Sequence, residues 1–200
     1  MLLLSRMVVL LNGAFGVGKT TVARQLVRLL PGSVLFDPEL IGFALKRLPA
    51  FVPLRGRGTS DYQDLALWRS LTVSVGRICQ RVHPTVIVPM AFSNRAYLTE
   101  IRDGLRGRNQ RVLHFCLTAP LAVVEARLRG RGAEQWCFRR AAECCAAHDD
   151  PFFAEQIPTE DRTPGEVAQA IADRVRSLSQ ASPVAIGTSS ESPHSAQEPS

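Results

Sequence analysis

The sequence predicts an α/β fold in which a parallel sheet is covered by helices on both faces. Short apolar runs alternate along the chain with longer segments of helical pattern, and this alternation is typical of β-α-β units. A complete phosphate-binding motif stands where the first predicted strand passes into the first helix. With 200 residues and 46% hydrophobic content, the chain can bury one full core and is most simply a single domain.

Five apolar runs are expected to form the strands, at residues 7–12, 33–36, 85–89, 111–117 and 152–157. Helices are predicted at residues 19–30, 61–81, 93–106, 120–130 and 164–178, with a lid-like segment before His148. The first helix places Val22, Leu26 and Leu29 on one face. The last begins with a strong start signal, because Thr163 can act as N-cap while Glu166 stands three residues later.

The composition divides the chain into a domain over residues 1–178 and a tail over residues 179–200. The tail holds seven Ser and three Pro and is predicted to be disordered. Residues 49–60 form a Pro/Gly/Arg-rich loop that is long enough to cover a site. We expect neither a signal peptide nor a membrane span, since no stretch approaches the roughly 20 apolar residues that a spanning helix needs.

The charge and the cysteine pattern exclude several classes of protein. The net charge of +6 arises from 22 Arg and 2 Lys and suits an anionic ligand, but no basic run alternates with aromatic residues, so nucleic-acid binding is not predicted. The five cysteines are odd in number and form no C-x-x-C pair, which argues against a zinc cluster and a disulfide framework. A reducing cytoplasm is the expected setting.

The phosphate-binding motif G-x-x-x-x-G-K-T runs from Gly13 to Thr20. Its glycines let the backbone fold around a polyphosphate, and the N–H groups at the start of the following helix point at anionic oxygens. Lys19 is expected to reach the β and γ phosphates, while the Thr20 hydroxyl would hold Mg²⁺. The predicted nucleotide-binding residues are Gly13, Ala14, Phe15, Gly16, Val17, Gly18, Lys19, Thr20 and Thr21.

Two carboxylates are candidates for the substrate side. Asp37 follows the second predicted strand, and groups at the carboxyl ends of parallel strands face the ligand crevice, so Asp37 could orient or deprotonate a substrate hydroxyl. It could equally cap a helix that has Pro38 at its first position. Asp64 poses the same choice between a helix start and a site, and Trp68 could be either pocket wall or core.

Three arginines, Arg127, Arg129 and Arg131, follow the helix after the fourth strand. Arginines on a segment that closes over the phosphates can neutralise charge during phosphoryl transfer, and we select Arg127 and Arg131 as catalytic candidates. A chain so rich in arginine also presents such clusters by chance.

Other motifs carry no prediction of chemistry. His114 is expected to be a satisfied core histidine, and the His148-Asp149-Asp150 run a solvated helix end. The third strand ends without the acidic residue that usually helps to hold magnesium, so the ion would depend on Thr20, water, the nucleotide and, as a further candidate, Asp37. No N-K-x-D motif is present to read guanine.

Several motifs together resemble the tunicamycin-resistance family of small P-loop proteins. In chain order they are L-N-G-A-F-G-V-G-K-T from Leu11, F-D-P-E from Phe36 with a following G-F, D-Y-Q-D from Asp61 with W-R, and V-I-V-P-M ending at Met90. The later L-R-G-R-G and I-P-T segments are similar to the arginine lid and final strand of that family. The resemblance covers nearly all of residues 7–178.

This resemblance implies a nucleoside-kinase-like P-loop fold with strand order 2-3-1-4-5, ATP and Mg²⁺ as cofactors, and a link to nucleoside-antibiotic resistance. It implies Asp37, Asp64 and Met90 as substrate-side groups. Two functions stay open: a kinase that phosphorylates a hydroxyl of a small nucleoside-like or antibiotic substrate, and an ATP-dependent protein that sequesters the antibiotic unmodified. The expected partner is therefore a small molecule, and the chain is expected to act as a monomer or homodimer.

Overall fold

The computed structural model describes residues 6–48, 61–107, 110–153 and 155–180. The strands are β1 Arg6–Gly13, β2 Ser33–Leu35, β3 Thr85–Pro89, β4 Gln110–Thr118 and β5 Gln156–Pro158. The α-helices are α1 Lys19–Leu29, α2 Glu39–Lys46, α3 Ala66–Val82, α4 Arg95–Leu105, α5 Leu121–Gly130, α6 Gln135–His148 and α7 Pro164–Gln180. Two 3-10 turns span Tyr62–Asp64 and Pro151–Phe153.

The five strands form one sheet in the order β2-β3-β1-β4-β5, and every neighbouring pair is parallel. The predicted sheet and its strand order are therefore confirmed. β1 lies at the centre, where Val9 pairs with Ile87 on one side and Leu113 on the other. All residues of β1 after Arg6 are buried, as expected of a strand that is covered on both faces.

Successive side chains of the central strand enter two separate cores. Val9 and Leu11 pack with α1 and α7, whereas Val8 and Leu10 pack with α3 and α4. This alternation produces the predicted three-layer arrangement of helix, sheet and helix. A third, smaller cluster joins α5 and α6 to the phosphate loop through Ala14 and Leu128.

The start of α7 has the predicted capping box. The Thr163 hydroxyl accepts a hydrogen bond from the Glu166 N–H at 3.2 Å, and the Glu166 carboxylate accepts one from the Thr163 N–H at 2.7 Å. The helix continues to Gln180, two residues beyond the predicted domain boundary. The rest of the predicted tail and the whole of the 49–60 loop lie outside the described residues.

Two sequence predictions of element bounds were wrong. The fifth strand begins at Gln156, because the preceding Pro151–Phe153 segment forms a 3-10 turn in which the Phe152 N–H donates to the Asp150 carboxylate at 2.9 Å. The helix predicted from residue 61 begins at Ala66. The Asp61 carboxylate accepts from the Gln63 N–H and so starts a separate 3-10 turn.

The segment before His148, predicted as a lid, is mostly the regular helix α6. Its inner face buries Ala141 and Cys144 against the third cluster. Only the four residues between α5 and α6, 131–134, remain as a non-helical connection. Any arginine lid is therefore short and is bounded by a rigid helix on each side.

Gly13 is required by the close approach of β1 to β4. Its φ is +150°, and a Cβ atom there would lie 2.7 Å from the Leu117 carbonyl oxygen and 2.8 Å from Val17 Cγ1. We expect Gly13→Ala to lower the free energy of unfolding by about 2 kcal/mol or more, because both backbone and neighbours must shift. Urea unfolding monitored by circular dichroism measures this loss.

Gly130→Ala is the matched control for this prediction. Gly130 ends α5, and an added Cβ would meet no atom within 4 Å. Its substitution should leave the unfolding free energy unchanged within about 0.5 kcal/mol or raise it slightly. Equal stabilities for the two variants would contradict the steric account of Gly13.

Candidate active site

The phosphate loop connects the end of β1 to the start of α1 and forms the floor of a cavity of about 460 Å³. The loop turns through Gly16 and Gly18, whose φ values of +88° and +107° are in the region that favours glycine. All loop residues from 15 to 21 line the cavity. Gly13 and Ala14 lie behind it, and their carbonyl oxygens hold Lys19 instead.

Lys19 is buried, and its position is fixed by the loop itself. Its Nζ donates to the carbonyl oxygens of Gly13 and Ala14, both at 2.9 Å. Burial lowers the pKa of Lys19, while the nearby Glu39 carboxylate opposes that shift. Two of the three ammonium donors are thus used for positioning, and the cavity side remains for an anionic oxygen.

Thr20 and Thr21 lie in the first turn of α1 and line the same cavity with exposed side chains. The hydroxyl of Thr20 is therefore accessible at the positive end of the helix dipole. In the ranges that the structure describes, no group of three or more His, Cys, Asp or Glu residues could bind a metal ion. A divalent cation at this site would take most of its ligands from phosphate oxygens and water.

The three candidate arginines separate into different roles. Arg127 lines the cavity and donates to the Thr159 hydroxyl at 3.1 Å and the Thr159 carbonyl oxygen at 2.8 Å. Arg131 also lines the cavity and contributes a positive charge near Lys19. Arg129 instead pairs with Glu125 at 2.7 Å on the exposed side of α5. The structure therefore brings Arg127 and Arg131, but not Arg129, to the phosphate loop.

Two cavity residues escaped the sequence analysis because they follow the last strand. Thr159 stands directly after β5 and accepts the bonds from Arg127, and Arg162 lines the cavity beside it. The available signal was their position, since a loop that follows the carboxyl end of a parallel strand meets the ligand crevice. The short length of β5 and its wrong predicted bounds concealed that signal.

The motif D-P-E after β2 supplies one capping residue and one cavity residue. Asp37 accepts a hydrogen bond from the Glu39 N–H at 3.0 Å, so the predicted helix-capping role of Asp37 is present. Glu39 lines the cavity, where burial raises the pKa of its carboxyl and Lys19 opposes the rise. From the sequence, Asp37 was predicted to take part in the chemistry, and no such role was predicted for Glu39. The catalytic role of Asp37 stays a prediction.

Tyr62 stands beside Glu39 and is itself buried. Its hydroxyl hydrogen-bonds the Glu39 carboxylate, and burial together with the negative charge of Glu39 raises the pKa of the phenol. The ring lies against α2 at Gly42, where an added Cβ would approach Tyr62 Cγ to 2.5 Å. Gly42 is one helical turn after Glu39, so the absence of a side chain there lets Tyr62 reach the carboxylate.

The other predicted substrate residues lie away from the cavity. Trp68 is 1% exposed and its Nε1 donates to the Pro38 carbonyl oxygen at 2.9 Å, so it has the core position that the sequence left as an alternative. Met90 is buried in the same core cluster. Asp64 is exposed and accepts from the Tyr97 hydroxyl at 3.4 Å. The substrate roles of Asp64 and Met90 stay predictions.

A buried ion pair connects α6 to the segment before α3. Arg140 Nη2 lies 3.0 Å from Asp61 Oδ2, and Arg140 also contacts Glu143 and the Ser93 hydroxyl. Burial raises the pKa of Asp61, while its bond from Gln63 and the charge of Arg140 oppose the shift. The pair joins residues 79 positions apart, and no local pattern could have predicted it.

The interpretation of His148 as part of a solvated helix end was wrong. His148 is 3% exposed, and its Nε2 lies 2.8 Å from the Phe92 carbonyl oxygen and 3.2 Å from Asn12 Nδ2. Burial lowers the pKa of this imidazole. The ring therefore ties the end of α6 to the residue that precedes the phosphate loop.

His114 lies within β4, as predicted, but its ring is not satisfied. Its Nε2 is buried without a hydrogen-bond partner among the described residues. Burial lowers the pKa of His114 to about 4. The imidazole is therefore neutral at physiological pH, which reduces the cost of leaving Nε2 without a partner.

Proteins that are similar in sequence and fold agree with this geometry. The model of the AAA domain family matches residues 8–144. The structure of the Deinococcus radiodurans tunicamycin resistance protein shares 33% identity at a TM-score of 0.70, covering 85% of this chain and 95% of that one. The chain therefore belongs to the AAA domain family and is a relative of this tunicamycin resistance protein. No curated protein matches the chain significantly.

Small-molecule kinases share the fold at lower identity. Shikimate kinase from Acinetobacter baumannii is 18% identical with a TM-score of 0.58, covering 88% of this chain and 96% of that enzyme. A gluconokinase from Sinorhizobium meliloti is 16% identical with a TM-score of 0.56, covering 88% and 95%. At this identity the likeness is one of fold alone. It confirms the predicted P-loop kinase-like architecture.

Two further predictions concern the surface and the thiols. In the part of the chain that the structure describes, no helix combines the length and the apolar content that crossing a bilayer requires. Cys79, Cys116, Cys137, Cys144 and Cys145 are all unpaired in this structure. Burial raises the pKa of Cys116 to about 12 and that of Cys144 to about 11, so neither is a reactive thiolate.

Proposed function

We propose that this family member is an ATP-dependent kinase that phosphorylates a hydroxyl of a small nucleoside-like or antibiotic substrate. The proposal rests on one cavity whose lining combines the phosphate loop with both positively and negatively charged side chains. Lys19, Arg127 and Arg131 surround the loop, and Glu39 enters from the side of α2. A binding protein for phosphates needs the cations alone, whereas transfer to a hydroxyl also benefits from a carboxylate.

The positive groups suit the charge that develops during phosphoryl transfer. Lys19 faces the place where the β and γ phosphates lie in a loop of this type, and Arg131 projects from the short connection after α5. Preorganised cations of this kind stabilise the transferring group without rearranging at the moment of reaction. Lys19 belongs to α1, and Arg131 to a connection of only four residues between two helices, which supports a catalytic assignment for both.

The cavity also suits a nucleotide base. Its lining includes the guanidinium groups of Arg127 and Arg162 and the apolar atoms of Pro164 and Val167, both of which a planar ring can contact. We assign ATP rather than GTP because the sequence has no N-K-x-D motif to read guanine.

Magnesium fits this site as an ion that arrives with the nucleotide. The Thr20 hydroxyl would be its one protein ligand, and water and phosphate oxygens would supply the others. When bound, the ion would neutralise charge on the β and γ phosphates. This arrangement agrees with the lack of an acidic residue at the end of β3, where Pro89 and Met90 stand.

The acceptor is proposed from one similar protein of known structure. The similar Deinococcus radiodurans protein is a tunicamycin resistance protein. We therefore propose tunicamycin, or a related molecule that carries a uridine and sugar hydroxyls, as the first acceptor to test. A reducing cytoplasm, where ATP is present and the five thiols stay unpaired, is the proposed compartment.

The alternative function is ATP-dependent sequestration of the antibiotic without transfer. The missing acidic residue at the end of β3 favours it, because the site has few protein ligands for magnesium. Cells that express Lys19→Ala protein separate the two functions. A kinase should lose protection although the variant still binds tunicamycin, whereas retained protection by a binding-competent variant would favour sequestration.

A further inference from the structure

We infer that Glu39, and not Asp37, is the carboxylate that receives the proton of the acceptor hydroxyl, and that Tyr62 is its positioning residue. This inference rests on the proposed kinase function and assigns a catalytic residue to it. Glu39 is the one acidic side chain among the described residues that line the cavity over the phosphate loop.

The backbone of the D-P-E motif explains why the second acid faces the cavity. Asp37 turns back onto its own helix and accepts the Glu39 N–H at 3.0 Å, a contact that starts α2. That cap fixes the first turn of α2 and therefore the direction of the Glu39 side chain. A carboxylate engaged in starting a helix is less available to a substrate than one that lines the cavity.

The charges of Lys19 and Glu39 suit opposite ends of the reaction: the cation suits the phosphates of ATP, and the carboxylate suits the acceptor hydroxyl. Lys19 and Glu39 interact electrostatically, and both line the cavity. Lys19 is held by the loop carbonyl oxygens of Gly13 and Ala14, while Glu39 reaches the cavity from a different element, the first turn of α2. A γ-phosphoryl group between them would have a cation behind it and a carboxylate in front of it.

Tyr62 gives the carboxylate a fixed orientation. Its hydroxyl donates to Glu39, and its ring is held between Gly42 of α2 and the Trp68 ring, whose centroid lies 5.1 Å away. A hydrogen bond to the charged form lowers the pKa of Glu39 and offsets part of the rise that burial causes. Tyr62 thus favours the ionised form of this buried base.

The proposed step balances in charge and atoms. The acceptor oxygen forms a bond to the γ phosphorus while its proton passes to a Glu39 carboxylate oxygen. The bond between the γ phosphorus and the β,γ-bridging oxygen breaks, and its electron pair leaves with ADP. Lys19 faces the charge that develops there.

The test compares Glu39→Gln with Asp37→Asn, and Glu125→Gln serves as the neutral control, since Glu125 pairs with Arg129 outside the cavity. ADP formation from MgATP is followed from pH 5 to 9 with tunicamycin or uridine as acceptor and with water alone. We expect Glu39→Gln to lower kcat about a hundredfold and to remove the fall in rate at acidic pH. Asp37→Asn should keep that fall. Tyr62→Phe should move it to higher pH, because the pKa of Glu39 rises when the hydrogen bond is lost.

A binding measurement tests the position of Glu39 independently of catalytic turnover. Calorimetry should show that Glu39→Gln binds MgATP about fivefold more tightly, with little change for MgADP, because an ionised carboxylate repels the γ phosphate. If the wild-type protein transfers phosphate to neither tunicamycin nor uridine, the proposed function fails, and this difference between ATP and ADP still tests where Glu39 lies.

Three results would overturn the inference. Glu39→Gln could retain a transfer rate within threefold of the wild type and still lose rate at acidic pH as the wild type does. It could change ATP and ADP affinity equally, which would place Glu39 away from the γ position. It could weaken MgATP binding and raise the magnesium requirement, which would make Glu39 a metal-side group.

Discussion

Lys19→Ala is expected to abolish phosphoryl transfer, with a fall in kcat of about a thousandfold or more. The ammonium group is the one cation that the loop holds on its own carbonyl oxygens, at 2.9 Å from both Gly13 and Ala14. No water molecule or neighbouring arginine can reproduce a fixed positive charge at that depth. ADP formation under saturating MgATP measures the effect.

The same substitution should leave the fold intact or stabilise it. Lys19 is buried, and burial lowers its pKa, which means that the folded protein bears the cost of desolvating the charged form. Lys19→Ala removes that cost together with the activity. A thermal midpoint at or above that of the wild type, beside lost transfer, is therefore the expected pair of results.

A variant with near-normal turnover would remove Lys19 from the mechanism. A variant that lost activity and also unfolded several degrees earlier would show that the charge serves the fold. The expected combination distinguishes the functional role from both results.

Arg131→Ala is expected to lower kcat by about a thousandfold, the lower end of what an arginine at a transferring phosphoryl group supplies. Arg131 lines the cavity from the short connection between α5 and α6 and acts electrostatically on Lys19. Because its contact would strengthen as charge develops, the affinity for MgATP should change much less than kcat.

Arg129→Ala is the matched control, two positions earlier in the chain. Arg129 pairs with Glu125 at 2.7 Å on an exposed surface and does not line the cavity. Its loss should change neither kcat nor the affinity for MgATP by more than about twofold. Equal effects of the two substitutions would indicate a general contribution of positive charge and would contradict a specific role for Arg131.

The local part of the site could be predicted from the sequence. The run from Gly13 to Thr20 needs only contiguous residues between a strand and a helix, so its geometry follows from the pattern. The capping box at Thr163 and Glu166 is equally local, and the structure has it. The strand order came from the resemblance to a known family, since alternation of elements predicts parallel strands but not their arrangement.

The remainder of the site depends on tertiary contacts that the sequence does not display. The choice between Asp37 and Glu39 is made by a backbone cap, and the orientation of Glu39 depends on Tyr62, 23 residues later. Tryptophan occurs both in walls that stack on ligands and in protein cores, so the sequence could not decide the place of Trp68. In the structure its Nε1 donates to the Pro38 carbonyl oxygen and the side chain lies in the core. His148 was assigned to a solvated helix end because the sequence shows no partner for it at metal-ligand spacing, although helix α6 turns it inward.

Phosphorus NMR shows directly whether the protein transfers a phosphoryl group. The purified protein is incubated with MgATP and tunicamycin, uridine nucleosides or aminosugars, beside the Lys19→Ala variant. We expect a new phosphomonoester signal that grows together with ADP in the wild type and is absent from the variant. ADP alone, or tight tunicamycin binding without any new phosphorus signal, would contradict phosphoryl transfer and favour sequestration.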